Sequence, residues 1–249
     1  MPDRKPHLEA ADEVAPGNAS DTRECGPPVR RANQEAIAQA IDVNSPPARN
    51  LRIAVLISGA GSNLQNLIDR IASRRLRRIE IGVVISSRSN VRGVERAQAA
   101  RLPVEIIRVK DHADAASFSC AVTDALERHH IDLAVMAGWL CHWQMPPHWL
   151  GRTINLHPSL LPDYGGKGFY GRRVHEAVLA AGETRSGATI HWVDNEYDHG
   201  EILLQGHCRV QPDDTPEALA QRVGLLEFRL LPAAIEMIRD QWRHDGKLK

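Results

Sequence analysis

Short apolar runs alternate with amphipathic segments from Leu51 onward, and this alternation limits the possible folds more than any other feature of the sequence. The apolar runs have the length and composition of strands and span residues 52–57, 80–85, 104–109 and 131–137. The segments between them repeat apolar residues at helical spacing and span residues 62–71, 90–100 and 118–129. Repeated strand–helix units of this size predict an α/β fold, with a Rossmann-like and mostly parallel sheet flanked by helices.

The pattern changes after Pro162. The later segments predict helices at 174–181 and 215–241 and strands at 187–193 and 201–210. A short loop at 194–200 joins the two strands, and such a connection allows them to pair antiparallel. We therefore expect antiparallel strands and a long helix in the C-terminal half.

The first fifty residues differ in composition from the rest of the chain. They are rich in Asp, Glu, Arg, Pro, Asn and Ala and lack strand-like apolar runs. Such a segment buries too little apolar surface to offset the entropy lost on ordering. The sequence therefore predicts a disordered N-terminal extension at 1–50 and one folded domain at 51–249.

Charge, hydropathy and cysteine spacing narrow the functional classes. The formal net charge of +0 argues against a nucleic-acid groove or a membrane-surface role, and no apolar run reaches the roughly 18 residues of a membrane span. The polar and acidic stretch from Met1 to Gly17 has no secretory-signal pattern. Four widely spaced cysteines without a C-x-x-C pair favour free thiols in a cytoplasmic protein: Cys25, Cys120, Cys141 and Cys208.

A polar pair at the end of a predicted strand is the first candidate site. Asn155 and His157 follow the apolar Thr153-Ile154, and their spacing places both side chains on the same face of an extended segment. Pro158 ends that segment. An amide can hold a developing oxyanion and an imidazole can handle a proton, a combination that suits acyl transfer. A buried strand whose polar side chains satisfy backbone groups would show the same pattern.

A glycine-rich turn between the first strand and the first helix is the second candidate site. In Ser58-Gly59-Ala60-Gly61-Ser62-Asn63, the amides of the last three residues would point at an incoming anion. Leu64 stands where the third glycine of G-x-G-x-x-G would be, and no G-K-[ST] follows. The turn therefore fits a monophosphate better than a dinucleotide or a triphosphate. A helix capped by Ser62, without any ligand, is the alternative.

The loop at 194–200 is the third candidate site. Turn-forming residues dominate it, so we expect it to be exposed and mobile. Asp198 within it could raise the pKa of a nearby imidazole and fix its orientation; an acidic loop in which Asp198 caps a turn is the alternative. The histidines of this half form no spaced metal-ligand motif such as H-E-x-x-H, so we predict no metal.

Five motifs occur in the order that is typical of one enzyme family. They are Ser58 to Gln65, Ala137-Gly138-Trp139, Asn155 to Pro162, Gly187 to His191 and Asp198 to Gln205. In these motifs the sequence closely resembles the folate-dependent phosphoribosylglycinamide formyltransferases of purine synthesis. The resemblance implies the formyltransferase fold and transfer of a formyl group from 10-formyltetrahydrofolate to the amine of glycinamide ribonucleotide (GAR). We expect these two small molecules as partners, without nucleic acid or membrane, and a monomer or homodimer.

Carried over residue by residue, the resemblance implies three groups of site residues. The catalytic residues would be Asn155, His157 and Asp198. The substrate phosphate and ribose would bind at Gly61, Ser62, Asn63 and Glu227. The folate pocket, with contacts made largely by backbone groups, would be formed by Leu140, Cys141, Trp143, His191, Val193 and Asp194.

Two segments depart from one branch of this family. Cys141 stands where that branch has an arginine, and the segment from Gly165 to Gly171 resembles a second branch instead. These departures concern contacts with the folate tail rather than the reaction.

Three other functions stay open at this point. A formyltetrahydrofolate deformylase shares the catalytic residues and uses water as the acceptor, but residues 1–50 are unlike its regulatory domain, and the phosphate turn favours a phosphorylated acceptor. A methionyl-tRNA formyltransferase would need an RNA-binding domain after the last helix. A ligand-binding module without catalysis could use the same scaffold.

Overall fold

The computed structural model describes residues 49–248, which form one mixed sheet with helices on both faces. The strands are β1 (Leu51–Ile57), β2 (Ile79–Ser86), β3 (Val104–Ile106), β4 (Leu133–Met136), β5 (Thr153–His157), β6 (Arg185–Trp192) and β7 (Ile202–Arg209). The helices are α1 (Ser62–Ala72), α2 (Arg92–Ala99), α3 (Ala115–Arg128), α4 (Arg172–Ala180) and α5 (Pro216–His244). Short 3₁₀ turns occur at Val109–Asp111 and Pro147–Trp149.

The sheet has the strand order β3-β2-β1-β4-β5-β6-β7. The first five strands of that order pair in parallel, whereas β6 pairs antiparallel with β5 and β7 pairs antiparallel with β6. The predicted α/β class, the antiparallel strands and the long C-terminal helix are all confirmed.

The alternation of side chains along β1 explains the layered packing. Leu51, Ile53 and Val55 join a buried cluster with apolar residues of α1, α4 and α5. Ala54 and Leu56 point to the other face and join a second cluster with residues of α3. A strand that is apolar on both faces needs cover on both sides, which is why parallel sheets carry two helical layers.

Most element boundaries differ from the sequence prediction by one to three residues, and two of these differences have a local cause. The third strand was expected over 104–109 but ends at Ile106, because the side chain of Arg108 binds Asp111 and the chain enters a 3₁₀ turn there. The third helix was expected from Phe118 but begins at Ala115. Asp114 caps it by accepting from the Ser117 amide at 2.7 Å, and the Ser117 hydroxyl accepts from the Asp114 amide in return.

The predicted N-terminal extension lies outside the described residues except for its last two. Of these, Arg49 binds the carboxylate of Asp132, with Nη1 2.5 Å from Oδ2. The proposed boundary between extension and domain at residue 50 stays a prediction.

The order of the strands places three loops at one edge of the sheet. β1, β4 and β5 are parallel neighbours, so their carboxyl ends lie side by side. The chain runs from β1 outward to β2 and β3 and then returns to β4 on the opposite side of β1. Such a reversal opens a crevice above the carboxyl ends of the strands, where ligands bind in open α/β sheets.

Candidate active site

A cavity of about 490 Å³ occupies this crevice. Its walls come from the turn after β1, the segment after β4, the end of β5, the loop between β6 and β7, and the first turns of α4 and α5. All three candidate sites from the sequence therefore face one cavity.

The amide of Asn155 lies between two partners from the antiparallel half of the sheet. Asn155 on β5 is directly opposite His191 on β6, and its Nδ2 is 3.1 Å from His191 Nε2 and 3.2 Å from Asp198 Oδ1. His191 Nδ1 is 2.8 Å from the carbonyl oxygen of Trp192 and donates to it, so Nε2 is free to accept from the amide. This arrangement fixes the direction in which the Asn155 amide presents its N–H groups.

The imidazole of His157 is held between two oxygen acceptors. Its Nε2 donates to the carbonyl of Tyr164 at 2.8 Å, and its Nδ1 lies 3.4 Å from Asp198 Oδ2. Only 4% of His157 is exposed. The ring is therefore locked in orientation, and a proton on Nδ1 would face a carboxylate.

Asp198 joins the two histidines and the asparagine. Its side chain is only 11% exposed, which corrects the expectation of an exposed residue in a mobile turn. The residue adopts a left-handed φ of 53°, and its Oδ2 accepts from the Gly166 amide at 2.9 Å. Burial alone would raise the pKa of Asp198. The facing imidazole of His157 and its charge, the neighbouring His191 and the Gly166 N–H outweigh burial and hold the pKa of Asp198 well below its usual range.

The glycine-rich turn has the form of an anion site. Gly61 is the N-cap of α1, with φ 66° and ψ 35°, and no side chain caps the helix. The alternative in which Ser62 caps the helix is therefore wrong, since Ser62 is already the first helical residue. The first amides of a helix have no intrahelical partner, and the turn exposes them to the cavity together with the positive end of the helix dipole.

Glu227 lies against the same turn. Asn63 Nδ2 donates to Glu227 Oε2 at 2.8 Å, and both residues line the cavity. Burial raises the pKa of Glu227, against the lowering effects of the Asn63 hydrogen bond and the charge of His157. The Oδ1 atom of Asn63 is buried without a hydrogen-bond partner within residues 49–248.

Known proteins are similar to this chain in sequence and in architecture. Residues 51–235 match the formyl transferase family. The chloroplastic phosphoribosylglycinamide formyltransferase of Arabidopsis thaliana is 35% identical over 217 residues, which cover 84% of this chain and 74% of that protein. The chain belongs to the formyl transferase family.

Solved structures of the formyl transferase family agree with this fold. Glycinamide ribonucleotide transformylase 1 from Symbiobacterium toebii is 32% identical and superposes with a TM-score of 0.71 over 77% of this chain and 89% of that chain. The phosphoribosylglycinamide formyltransferase of Coxiella burnetii is 35% identical, with a TM-score of 0.68 over 78% of this chain and 89% of that one. The family resemblance predicted from the motifs is confirmed.

Other relatives are much longer than this chain. The human trifunctional purine biosynthetic protein adenosine-3 is 37% identical over 205 residues, which are 80% of this chain and 20% of that protein. The bovine protein of the same name is matched over 18% of its length. The chain therefore corresponds to about one fifth of these trifunctional relatives.

The residues that the family resemblance assigns to the folate pocket are positioned in different ways. Leu140 is 44% exposed at the mouth of the cavity, and its amide donates to Ser58 Oγ at 2.9 Å. Cys141 is partly buried. Trp143 is 3% exposed. Its indole N–H donates to Thr123 of α3, so this residue anchors the cavity wall to that helix.

The remaining folate-pocket candidates belong to the antiparallel half. The Val193 amide donates to the carbonyl of Thr153 at 2.9 Å, which continues the sheet beyond β6. Asp194 accepts from the Glu196 amide and faces His199 Nδ1, both at 2.8 Å. These bonds shape the loop that carries Asp198.

Several residues in or beside the cavity were not predicted from the sequence. Tyr164 and Gly166 hold His157 and Asp198 through backbone atoms, which leave no side-chain signature. His175 on α4 is 4% exposed, and its Nδ1 has no partner in the described part of the chain. Burial, followed by the charge of His157, lowers the pKa of His175. An apolar helix face containing a histidine was the only sequence signal for it.

Within residues 49–248, no group of three or more His, Cys, Asp or Glu side chains converges as a set of metal ligands. No helix in that range is long and apolar enough to cross a membrane.

Proposed function

We propose that the chain transfers a formyl group from 10-formyltetrahydrofolate to the amine of N1-(5-phosphoribosyl)glycinamide, a step of de novo purine (IMP) synthesis. One observation carries the proposal: a single cavity holds the cluster of Asn155, His157 and Asp198 at one end and an uncapped helix N-terminus at the other. The first suits acyl transfer and the second suits a phosphate. An acceptor that is both an amine and a phosphate ester would contact both the catalytic cluster and the helix N-terminus.

The reaction begins when the amine of the acceptor attacks the formyl carbon. A carbon–nitrogen bond forms, and the carbonyl oxygen becomes an oxyanion on a tetrahedral intermediate. Asn155 is the donor for this oxygen, since one of its N–H groups can exchange its contact with Asp198 Oδ1 for the new charge. The amide is already oriented by His191, so little reorganisation is needed.

The attacking nitrogen becomes an ammonium, and its proton must reach the folate nitrogen that leaves. His157 is the group for this transfer, because its Nε2–H donates to Tyr164 and leaves Nδ1, beside the ionised Asp198, to accept the ammonium proton and pass it to the folate nitrogen. The carbon–nitrogen bond to the folate then breaks, and tetrahydrofolate and formyl-GAR leave. The negative charge of Asp198 stabilises the protonated imidazole of His157 during this transfer.

The two substrates would occupy opposite parts of the cavity. The phosphate of GAR would bind the amides of Gly61, Ser62 and Asn63, and its ribose hydroxyls would bind Glu227. The pterin of the folate would lie against the wall built by Leu140, Cys141, Trp143, His191, Val193 and Asp194. The formyl group would then face Asn155 at the boundary between these parts.

One assay separates this function from its alternatives. The purified protein is incubated with 10-formyltetrahydrofolate, with and without GAR, while tetrahydrofolate formation is followed. We expect release only when GAR is present. Release without GAR would instead identify a deformylase that uses water, and no release under either condition would leave a binding module.

Compartment and assembly belong to the same proposal. Cys120, Cys141 and Cys208 are free thiols, and free thiols suit the reducing cytoplasm. We propose a cytoplasmic monomer or homodimer. Cell fractionation and light scattering of the purified protein test the two statements.

A further inference from the structure

Helix α2 contacts the glycine-rich turn at residues 58–63, which is called the phosphate turn below. The Gly93 amide donates to the carbonyl of Gly59 at 3.1 Å, and Arg96 Nε donates to the carbonyl of Ala60 at 3.0 Å. Two successive carbonyls of the turn are thus directed at one neighbouring helix.

This arrangement decides where the amides of the turn point. A trans peptide is planar, and its N–H points opposite to its C=O. Because the carbonyls of Gly59 and Ala60 face α2, the N–H groups of the same two peptides, which belong to Ala60 and Gly61, face away from it. Both residues line the cavity. The hydrogen bonds to α2 therefore turn these donors toward the cavity.

The backbones of the turn and of α2 lie so close together that no side chain fits between them. A Cβ atom added to Gly93 would lie 2.8 Å from the carbonyl oxygen of Gly59 and 2.5 Å from Ile57 Cδ1. A Cβ atom on Gly61 would lie 2.6 Å from Gly93 Cα. Only glycine at both positions permits this approach of the two backbones.

Arg96 also links the turn to the helix that follows it. Its Nη1 donates to Gln65 Oε1 at 2.9 Å, while its Nε holds the carbonyl of Ala60. One planar guanidinium thus bridges the turn and the first turns of α1. Arg96 is partly buried and does not line the cavity, so its effect on a ligand passes through the groups it holds.

We propose that Arg96 is a positioning residue for the phosphorylated substrate, which fixes the peptide planes of the phosphate turn through α2. The inference rests on the proposed function for the identity of the substrate. It concerns binding of the phosphate end and leaves the formyl-transfer step unchanged.

Steady-state kinetics with each substrate varied in turn test the proposal. Loss of a charged hydrogen bond predicts that Arg96→Ala raises the KM for GAR about tenfold or more, with kcat and the KM for the folate unchanged. Arg96→Lys keeps the charge but cannot span two acceptors with a planar fork, so its KM for GAR lies between those of wild type and Arg96→Ala. The matched control is Arg92→Ala, which removes the same charge from an exposed position one turn earlier on α2.

Calorimetric titration of the same proteins with GAR, and separately with ribose 5-phosphate, provides a readout without turnover. We expect both ligands to bind more weakly to Arg96→Ala than to Arg92→Ala, while thermal unfolding shows that all variants fold. The proposal is overturned if Arg96→Lys binds like wild type, since charge alone would then suffice. It is also overturned if both KM values rise together or if Arg92→Ala has the same effect.

The two proposals fail in different ways. If wild type binds ribose 5-phosphate in an Arg96-dependent manner but does not formylate GAR, the positioning role stands and the proposed function falls. If wild type formylates GAR and Arg96→Ala has an unchanged KM, the function stands and the positioning role falls. Absence of both binding and turnover in wild type contradicts both.

Discussion

The two ends of the cavity hold their functional groups in different ways. At the proposed phosphate end, the candidate binding groups are main-chain amides of the turn before α1, and α2 binds two carbonyls of that turn. At the catalytic end, the groups are side chains of β5 and of the loop after β6, which meet through cross-strand pairing. The turn after β1 therefore presents backbone groups, whereas the junction of β5 with the antiparallel strands presents side chains.

This difference suits the two tasks. A phosphate is a large, permanent charge, and several fixed N–H dipoles satisfy it without any change of protonation. The reacting centre also needs a group that passes a proton during the reaction, and a titratable side chain such as His157 can do so. Variants at the catalytic end should thus alter kcat, and variants at the phosphate end should alter the KM for GAR.

The largest expected effect is at the catalytic end. Asn155→Ala removes the oxyanion donor, and Asp198→Asn removes the charge that faces His157, so each should lower kcat by about 10²- to 10³-fold with little change in the KM for GAR. Stopped assays at saturating substrates measure this. Asp163→Asn neutralises an exposed carboxylate on the segment after β5 and serves as the control. Near-normal rates in both test variants would contradict the catalytic assignment.

The next effect is at the phosphate end. Gly61→Ala places a side chain at a left-handed φ and against Gly93, so we expect the KM for GAR to rise by roughly tenfold or more and kcat to change little. Gly151→Ala is a matched control, because Gly151 also has a left-handed φ of 72° but has open space around its Cβ position. Gly151→Ala should lose about 1–2 kcal/mol of stability from the left-handed φ, and Gly61→Ala should lose more because of the added contact with Gly93. If the KM for GAR also rose in Gly151→Ala, backbone strain alone would explain the effect.

A smaller effect on binding is expected from Glu227→Gln. Loss of a charged acceptor for the ribose should raise the KM for GAR by several-fold, up to about tenfold. The same variant should not be less stable at neutral pH, because burial raises the pKa of Glu227 and ionisation therefore costs the folded state. The stability gain should grow as the pH rises above about 4 and vanish below it, where both states are protonated. Thermal unfolding across pH checks this, and a Tm loss at pH 7 would refute it.

The smallest expected effect concerns stability in acid. The pKa of Asp198 is lowered in the folded state, so its contribution is complete above the ordinary carboxyl pKa of about 4 and is lost as the pH falls toward the lowered value. The difference in unfolding free energy between wild type and Asp198→Asn should be about 1–2 kcal/mol from pH 5 to 8 and shrink in stronger acid. Denaturant unfolding at several pH values measures it. A difference that grows in acid would mean that Asp198 is not paired as described.

Much of the site was accessible from local patterns in the sequence. The two-residue spacing of Asn155 and His157 predicted a shared face, and both residues line the cavity. The glycine-rich turn was predicted to open a helix, and it does so with Gly61 as the N-cap. Each of these features depends on neighbours in the chain, so a short segment contains all the information needed.

Other features had no local signal. The turn-forming residues around Asp198 predicted exposure, yet Gly166 and the facing strand bury its carboxylate. Arg96 lies on a helix 36 positions after the carbonyl that it binds, and nothing in its own segment indicates that contact. Tyr164 acts through its carbonyl, which every residue possesses.

The sequence by itself determined the α/β class, the order of the elements and the chemical types of the site residues, because hydrophobic periodicity and turn chemistry act over a few residues. Tertiary structure alone decided that Asp198 lies 3.4 Å from His157 and that α2 directs the amides of the phosphate turn. These distances follow from strand register and from the packing of two helices at glycine contacts, which depend on residues far apart in the chain. Such contacts form only when the whole sheet assembles, and for that reason residues from distant parts of the sequence line one cavity.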